Sequence, residues 1–125
     1  MNKLLRTIAC LPAIIFLIMG LSWLTQPHLA AQNLGLPLLD GVARSSQIGD
    51  MSAFFLSLSA MIFFGLMSQS PTWFRAAALL LGLTALGRIL AWLLHSAALP
   101  MNLIAPEVIF SALLLVTASF MAKES

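Results

Sequence analysis

Four long apolar runs, separated by short polar breaks, leave this chain little choice of solvent. They cover Ile8–Leu24, Gln47–Met67, Arg75–Leu94 and Leu103–Ala122. A helix needs about 20 apolar residues to cross the hydrocarbon of a bilayer, and each run has about that length. With 61% hydrophobic and 8% charged residues and a mean hydropathy of +1.02, the chain departs from soluble domains, which carry roughly 25% charged and 45–50% apolar residues. A soluble fold of 125 residues buries too small a share of its surface to hide so much apolar area. The expected fold is all-α: an integral membrane four-helix bundle, one domain over residues 1–125.

The first run follows Lys3 and Arg6 and has the outline of a secretory signal. It is longer than the usual 7–15-residue apolar region, and its best cleavage candidate, Leu29-Ala30-Ala31, is poor at the first position. It therefore reads as a spanning helix. Pro106 falls in what reads as the first turn of the fourth span, where proline is tolerated, and Pro12 lies near the start of the first. No run alternates polar and apolar residues as barrel strands do.

Basic residues set the expected orientation. With four spans, Lys3, Arg6, Arg75 and Lys123 share one side, which the positive-inside rule assigns to the cytoplasm. Both termini are then cytoplasmic, in a bacterial inner membrane. The opposite side holds Arg44 in a long connection over residues 25–46. That segment contains Pro27, Gly35, Pro37 and Gly41 and the semi-apolar Leu34–Leu39 stretch. Connections of this length are often functional; it is expected either to fold over the outer mouth of the bundle, with a short helix, or to be a plain surface loop.

Small residues recur at helical spacing, as at Ala78/Gly82 and Gly87/Ala91, and let helices approach closely in lipid. Phe54, Phe55, Phe63 and Phe64 cover more than one face and read as core or lipid-facing. Trp23, Trp73 and Trp92 fall near span ends, as interfacial tryptophans do.

Several function classes drop out. Six basic residues scattered along the chain make no phosphate-binding patch, so no nucleic-acid partner is expected. Cys10 is alone and reads as a packing residue. There is no metal-type Cys/His spacing, no glycine-rich phosphate loop and no GxSxG, so no metal or cofactor is expected.

The residues that call for explanation are the charges inside the spans. Even mild scales charge roughly 2.5–3.5 kcal/mol for an ionised side chain at a helix centre, so such residues face partners. Arg88 lies about 10 Å from the outer end of the third span, and Asp50 and Glu107 about 5–6 Å from the outer ends of the second and fourth, at a rise of ~1.5 Å per residue. An arginine is long enough to reach that level. Thr84, Arg88, Trp92 and His95 share a stripe, Asp50 lies on a face with Ser46 and Ser57, and Glu107 lies on a face with Ser111. These stripes can surround a pocket opening outward. Asp50, Arg88 and Glu107 together carry a formal −1, an excess costly to bury unless another cation joins or one acid is neutralised. Arg44 and His95 are the cations within range. A purely structural reading stands beside this one: Asp50 and Glu107 sit in apparent first turns, where acids favour the helix dipole, with Ser45, Ser46 and Asn102 as available N-caps. The cluster Asp50, Arg88, Glu107, Arg44, His95, Thr84 and Ser111 is then a ligand site, or a clasp between helices, or both.

The stretch Arg44–Phe55 (RSSQIGDMSAFF), the run Leu79–Arg88 (LLLGLTALGR) and Pro106-Glu107 resemble a family of small four-helix bacterial membrane proteins without an assigned activity, distantly similar to DoxX-like proteins. In that family an acidic residue after a glycine opens the second helix, a Gly-Arg pair sits in the third and a glutamate opens the fourth. The resemblance covers most of residues 44–120 and implies a four-helix bundle.

Three functional expectations follow. The first is a binding protein whose outer pocket holds a small lipophilic molecule, quinone-like or isoprenoid, with Arg88 as hydrogen-bond donor. The second is an accessory subunit or assembly factor of a larger membrane complex, with a membrane-protein partner or further copies of itself. The third is an isomerase-like enzyme shuttling a proton on Asp50 or Glu107. With no nucleophile–base pair to point to and no identifiable catalytic residue, a non-enzyme is favoured, and membrane lipid is the constant partner.

Overall fold

The computed structural model of the chain describes residues 3–124. Among these residues there are five helices: α1 (Lys3–Thr25), α2 (Pro27–Asn33), α3 (Gly41–Ser68), α4 (Pro71–His95) and α5 (Met101–Glu124). Four of them, α1, α3, α4 and α5, are long and apolar enough to cross a membrane. The protein is a multi-pass, all-α membrane bundle.

The breaks between helices have local causes. Pro27 cannot continue α1 by donating an N–H, and it occupies the first position of α2 instead. α3 ends on Gln69 and α4 on Ser96, both left-handed, with backbone N–H groups turned back to the Gly65 and Ala91 carbonyls. Pro71 then starts α4. The tight turn between α3 and α4 forces those helices antiparallel, and α5 returns antiparallel to α4. The termini and the α3–α4 turn therefore share one end of the bundle. The opposite end, called here the loop end, carries α2, residues 34–40 and the α4–α5 connection.

Helix limits differ from the apolar runs in two places. α3 starts at Gly41, so much of the expected long connection is helical, and only residues 34–40 lie outside helices, with a turn at 34–35. Hydropathy marks the part of a helix that lipid tolerates, and a polar first stretch such as Val42-Ala43-Arg44-Ser45 can still be helical outside it. α5 starts at Met101, so Pro106 sits beyond its first turn, where it was not expected; Leu103 and Ile104 donate their N–H groups to the Pro100 carbonyl and carry the helix start earlier.

In lipid, close packing and interhelical hydrogen bonds hold helices together, and the interfaces follow that rule. α1 packs chiefly on α3. Gly20 lies against Leu56 so closely that an added Cβ would fall 2.6 Å from the Leu56 side chain. One turn on, the buried Ser59 hydroxyl donates to the Ala13 carbonyl at 2.7 Å. α4 packs chiefly on α5, where Ser111 donates to the Ala78 carbonyl at 2.9 Å. The two pairs join through α3 and α4, where Gly65 receives the Phe74 ring. Contact between α1 and α5 is thin and is marked by an edge-to-face pair, Phe16 and Phe110, 5.6 Å between centroids. α2 turns back on α1 and buries Ala30 and Ala31. Trp23 corrects an expectation: it is fully buried in the core, whereas Trp73 and Trp92 are exposed near helix ends. The outward faces carry leucines such as Leu79, Leu83 and Leu86, as a lipid-facing surface requires.

Candidate functional site

The loose seam between α1 and α5 widens toward the loop end into a cavity of about 520 Å³. That volume lies within the roughly 300–1,000 Å³ typical of small-molecule sites. α1 contributes Ile15, Phe16 and Met19; α3 contributes Asp50, Met51, Phe54 and Phe55. Leu81, Thr84 and Arg88 come from α4, and Leu103, Pro106, Glu107 and Phe110 from α5. Asn33 and Leu34, at the end of α2, close it on the loop side. The wall is otherwise apolar; its polar members are Asn33, Asp50, Thr84, Arg88 and Glu107.

Arg88 and Glu107 form an ion pair across α4 and α5. Arg88 Nε donates to both carboxylate oxygens, at 3.0 Å to Oε1 and 3.2 Å to Oε2. The Arg88 side chain is 30% exposed and that of Glu107 13%. Among the described residues the two terminal guanidinium nitrogens of Arg88 make no hydrogen bond. No fully buried side-chain nitrogen or oxygen among those residues lacks a partner, so these donors are accessible, on a residue that lines the cavity. A guanidinium carries five N–H groups, and the pair uses one.

Asp50 lies on the same wall but pairs with neither Arg88 nor any other cation among the described residues. It stands nine residues beyond the start of α3, and Glu107 six beyond the start of α5. Neither helix has an acid in its first turn. The helix-dipole account of the two acids therefore fails, because both helices begin earlier than their apolar runs. Ser45 and Ser46 are interior to α3, whose N-cap is Asp40, and Asn102 is inside α5.

The other expected members separate. Arg44 does not balance Asp50. Its Nη2 pairs with Asp40 at 3.0 Å and its Nε donates to the Leu39 carbonyl at 2.6 Å, so it braces the exposed entry to α3. Gln47 completes that brace, accepting from the Leu39 N–H and donating to the Pro37 carbonyl. His95 is exposed in the last turn of α4 and does not line the cavity. Ser111 is spent on the Ala78 carbonyl. Thr84 lines the cavity, with its hydroxyl donated to the Leu80 carbonyl at 2.8 Å. Ser46 and Ser57, on the face assigned to Asp50, are exposed, as Asp50 itself is, and do not line the cavity. Asn33, Leu34 and the α1 side chains were not anticipated. Asn33 had a weak signal, a polar residue in the segment expected to cover the mouth; Ile15, Phe16 and Met19 had none, since apolar residues on a spanning helix look alike.

Among the described residues no group of three or more His, Cys, Asp or Glu side chains could hold a metal ion. The cavity can offer two guanidinium donors, one unpaired carboxylate and a largely apolar enclosure. No family model, no curated protein and no solved structure matches the chain.

Proposed function

We propose that this protein binds a small lipophilic molecule, inserting its apolar body into the cavity and its polar end at the level of Arg88. The observation that carries the reading is the pair of unused guanidinium nitrogens of Arg88 and the unpaired Asp50 on one largely apolar cavity wall. A clasp between α4 and α5 needs only the Arg88–Glu107 contact. It leaves unexplained both the spare donors and the space in front of them, since polar groups facing apolar surroundings are costly unless something hydrogen-bonds to them.

The charge distribution supports an orientation with both termini in the cytoplasm and the cavity in the outer half of a bacterial inner membrane. The resemblance to the DoxX-like four-helix family rests on the acid in α3, the Gly-Arg pair in α4 and the Glu in α5, and two of those three form the ion pair.

The test is native mass spectrometry of the full chain extracted gently from its membrane. A co-purified small molecule is expected on the unaltered protein. It should be lost from Met19→Trp, which fills the cavity while keeping the ion pair, and depleted from Arg88→Met/Glu107→Gln, which keeps the volume and removes both charges. An adduct that persists in Met19→Trp, or an unaltered protein that carries nothing, rejects the reading.

A further inference from the structure

Resting on that binding reading, we propose that the cavity selects a membrane-borne amphiphile whose polar end joins a protonated amine to a hydrogen-bond acceptor, chemistry of the long-chain amino-alcohol kind. The argument starts from charge. Glu107 neutralises Arg88, so Asp50, an exposed residue at the edge of the cavity wall, leaves the wall with a formal −1. No described side chain supplies the balancing cation: Arg44 is held by Asp40, His95 lies off the cavity, and Lys3, Arg6, Arg75 and Lys123 belong to the opposite end of the bundle. A carboxylate or phosphate ligand would deepen the excess to −2, and an uncharged one would leave it. An ammonium cancels it and forms a charge-assisted hydrogen bond with the open carboxylate.

Two features of the wall agree. Phe16, Phe54, Phe55 and Phe110 all line the cavity, and aromatic faces attract ammonium groups. The open nitrogens of Arg88 ask for an acceptor, which a hydroxyl or carbonyl beside the amine provides. A lateral route in fits the lining: Ile15 of α1 and Pro106 of α5 are both exposed and both line the cavity. Where α1 and α5 come together, the Phe16–Phe110 edge contact is the mark of a thin seam.

The experiment compares three probes of equal chain length: a long-chain 2-amino-1,3-diol, the same diol without nitrogen, and the fatty acid. Each is titrated into the full chain in nanodiscs of zwitterionic lipid, and occupancy is read by native mass spectrometry. The amino diol is expected to bind about tenfold tighter than the nitrogen-free diol, the scale of one charge-assisted hydrogen bond, with the fatty acid weakest. Asp50→Asn, which preserves shape, should bring the amino diol down to the level of the diol, and Met19→Trp should abolish both. Equal binding of amine and diol, or an amine preference that survives Asp50→Asn, overturns this inference while leaving the binding function standing. Failure of all three probes, with no co-purified adduct, overturns both.

Discussion

Arg88 reaches Glu107 through Nε alone, and this detail governs what substitution should do at the residue scale. Removing one member of a buried pair strands the other charge, which costs more than removing both. Glu107→Gln should therefore destabilise the bundle by roughly 3 kcal/mol, the low end for a buried pair because Arg88 is 30% exposed. Arg88→Met/Glu107→Gln should recover most of that loss. Thermal unfolding in a mild detergent followed by helical circular dichroism checks the order; a double variant as unstable as the single one would mean the residues act independently. The existence of this pair was legible in the sequence, because the penalty on intramembrane charge confines such residues to meeting one another and depth placed three of them in one layer. Which acid Arg88 would choose was not legible. That depends on the rotation of α3 and α5 about their axes, which depth leaves free, and the same freedom let Arg44 stand as a partner for Asp50 when its nearest anion was Asp40, four residues before it on the same chain segment.

The interfaces between helices discriminate sharply between glycines that look equivalent in sequence. A Cβ at Gly20 would meet Leu56 at 2.6 Å and the Leu56 backbone nitrogen at 3.1 Å, whereas one at Gly87 meets nothing within 4 Å. Gly20→Ala is expected to push α1 off α3 at a cost of about 1–3 kcal/mol, the usual range for overpacking. Gly87→Ala should be neutral or stabilising by up to about 1 kcal/mol through helix propensity. Parallel melting curves of the two variants test this, and equal losses would refute the close approach at Gly20. Spacing alone did not separate these positions: Ala78 and Gly82, four apart, do meet Ser111 of α5, whereas Gly87 and Ala91, also four apart, look like a seam, yet Gly87 faces open space and the tightest approach is at Gly20 of α1. Spacing reports which residues share a helix face and says nothing about which face meets a neighbour. Hydropathy had a related blindness. It located the four spans, because lipid acts on side chains one by one, and it missed where α3 and α5 begin, because helices continue into the polar layer once backbone hydrogen bonds are in place.

Taken whole, the molecule is asymmetric from end to end, and the cavity belongs to one end only. Lys3, Arg6, Arg75 and Lys123 flank the termini end, whereas the only arginine or lysine of the loop segment, Arg44, is tied to Asp40. Lysine and arginine near span ends are retained on the cytoplasmic side. A bundle inserted by that rule carries the termini inside and holds α2, residues 34–40 and the cavity toward the outer leaflet. The orientation matters for the proposed function, because a lateral opening between α1 and α5 in the outer half would admit amphiphiles from that leaflet alone. Reporter fusions test it directly. A fluorescent protein fused after Lys123 should fold and fluoresce in the cytoplasm, and a phosphatase active only after export should be inactive there. The same phosphatase inserted at Pro37, in the exposed segment before α3, should be active. The reverse pattern would place the cavity in the inner leaflet, and the supply of ligand would then have to come from the cytoplasmic face, where anionic lipid heads would compete with Asp50 for any amine that entered.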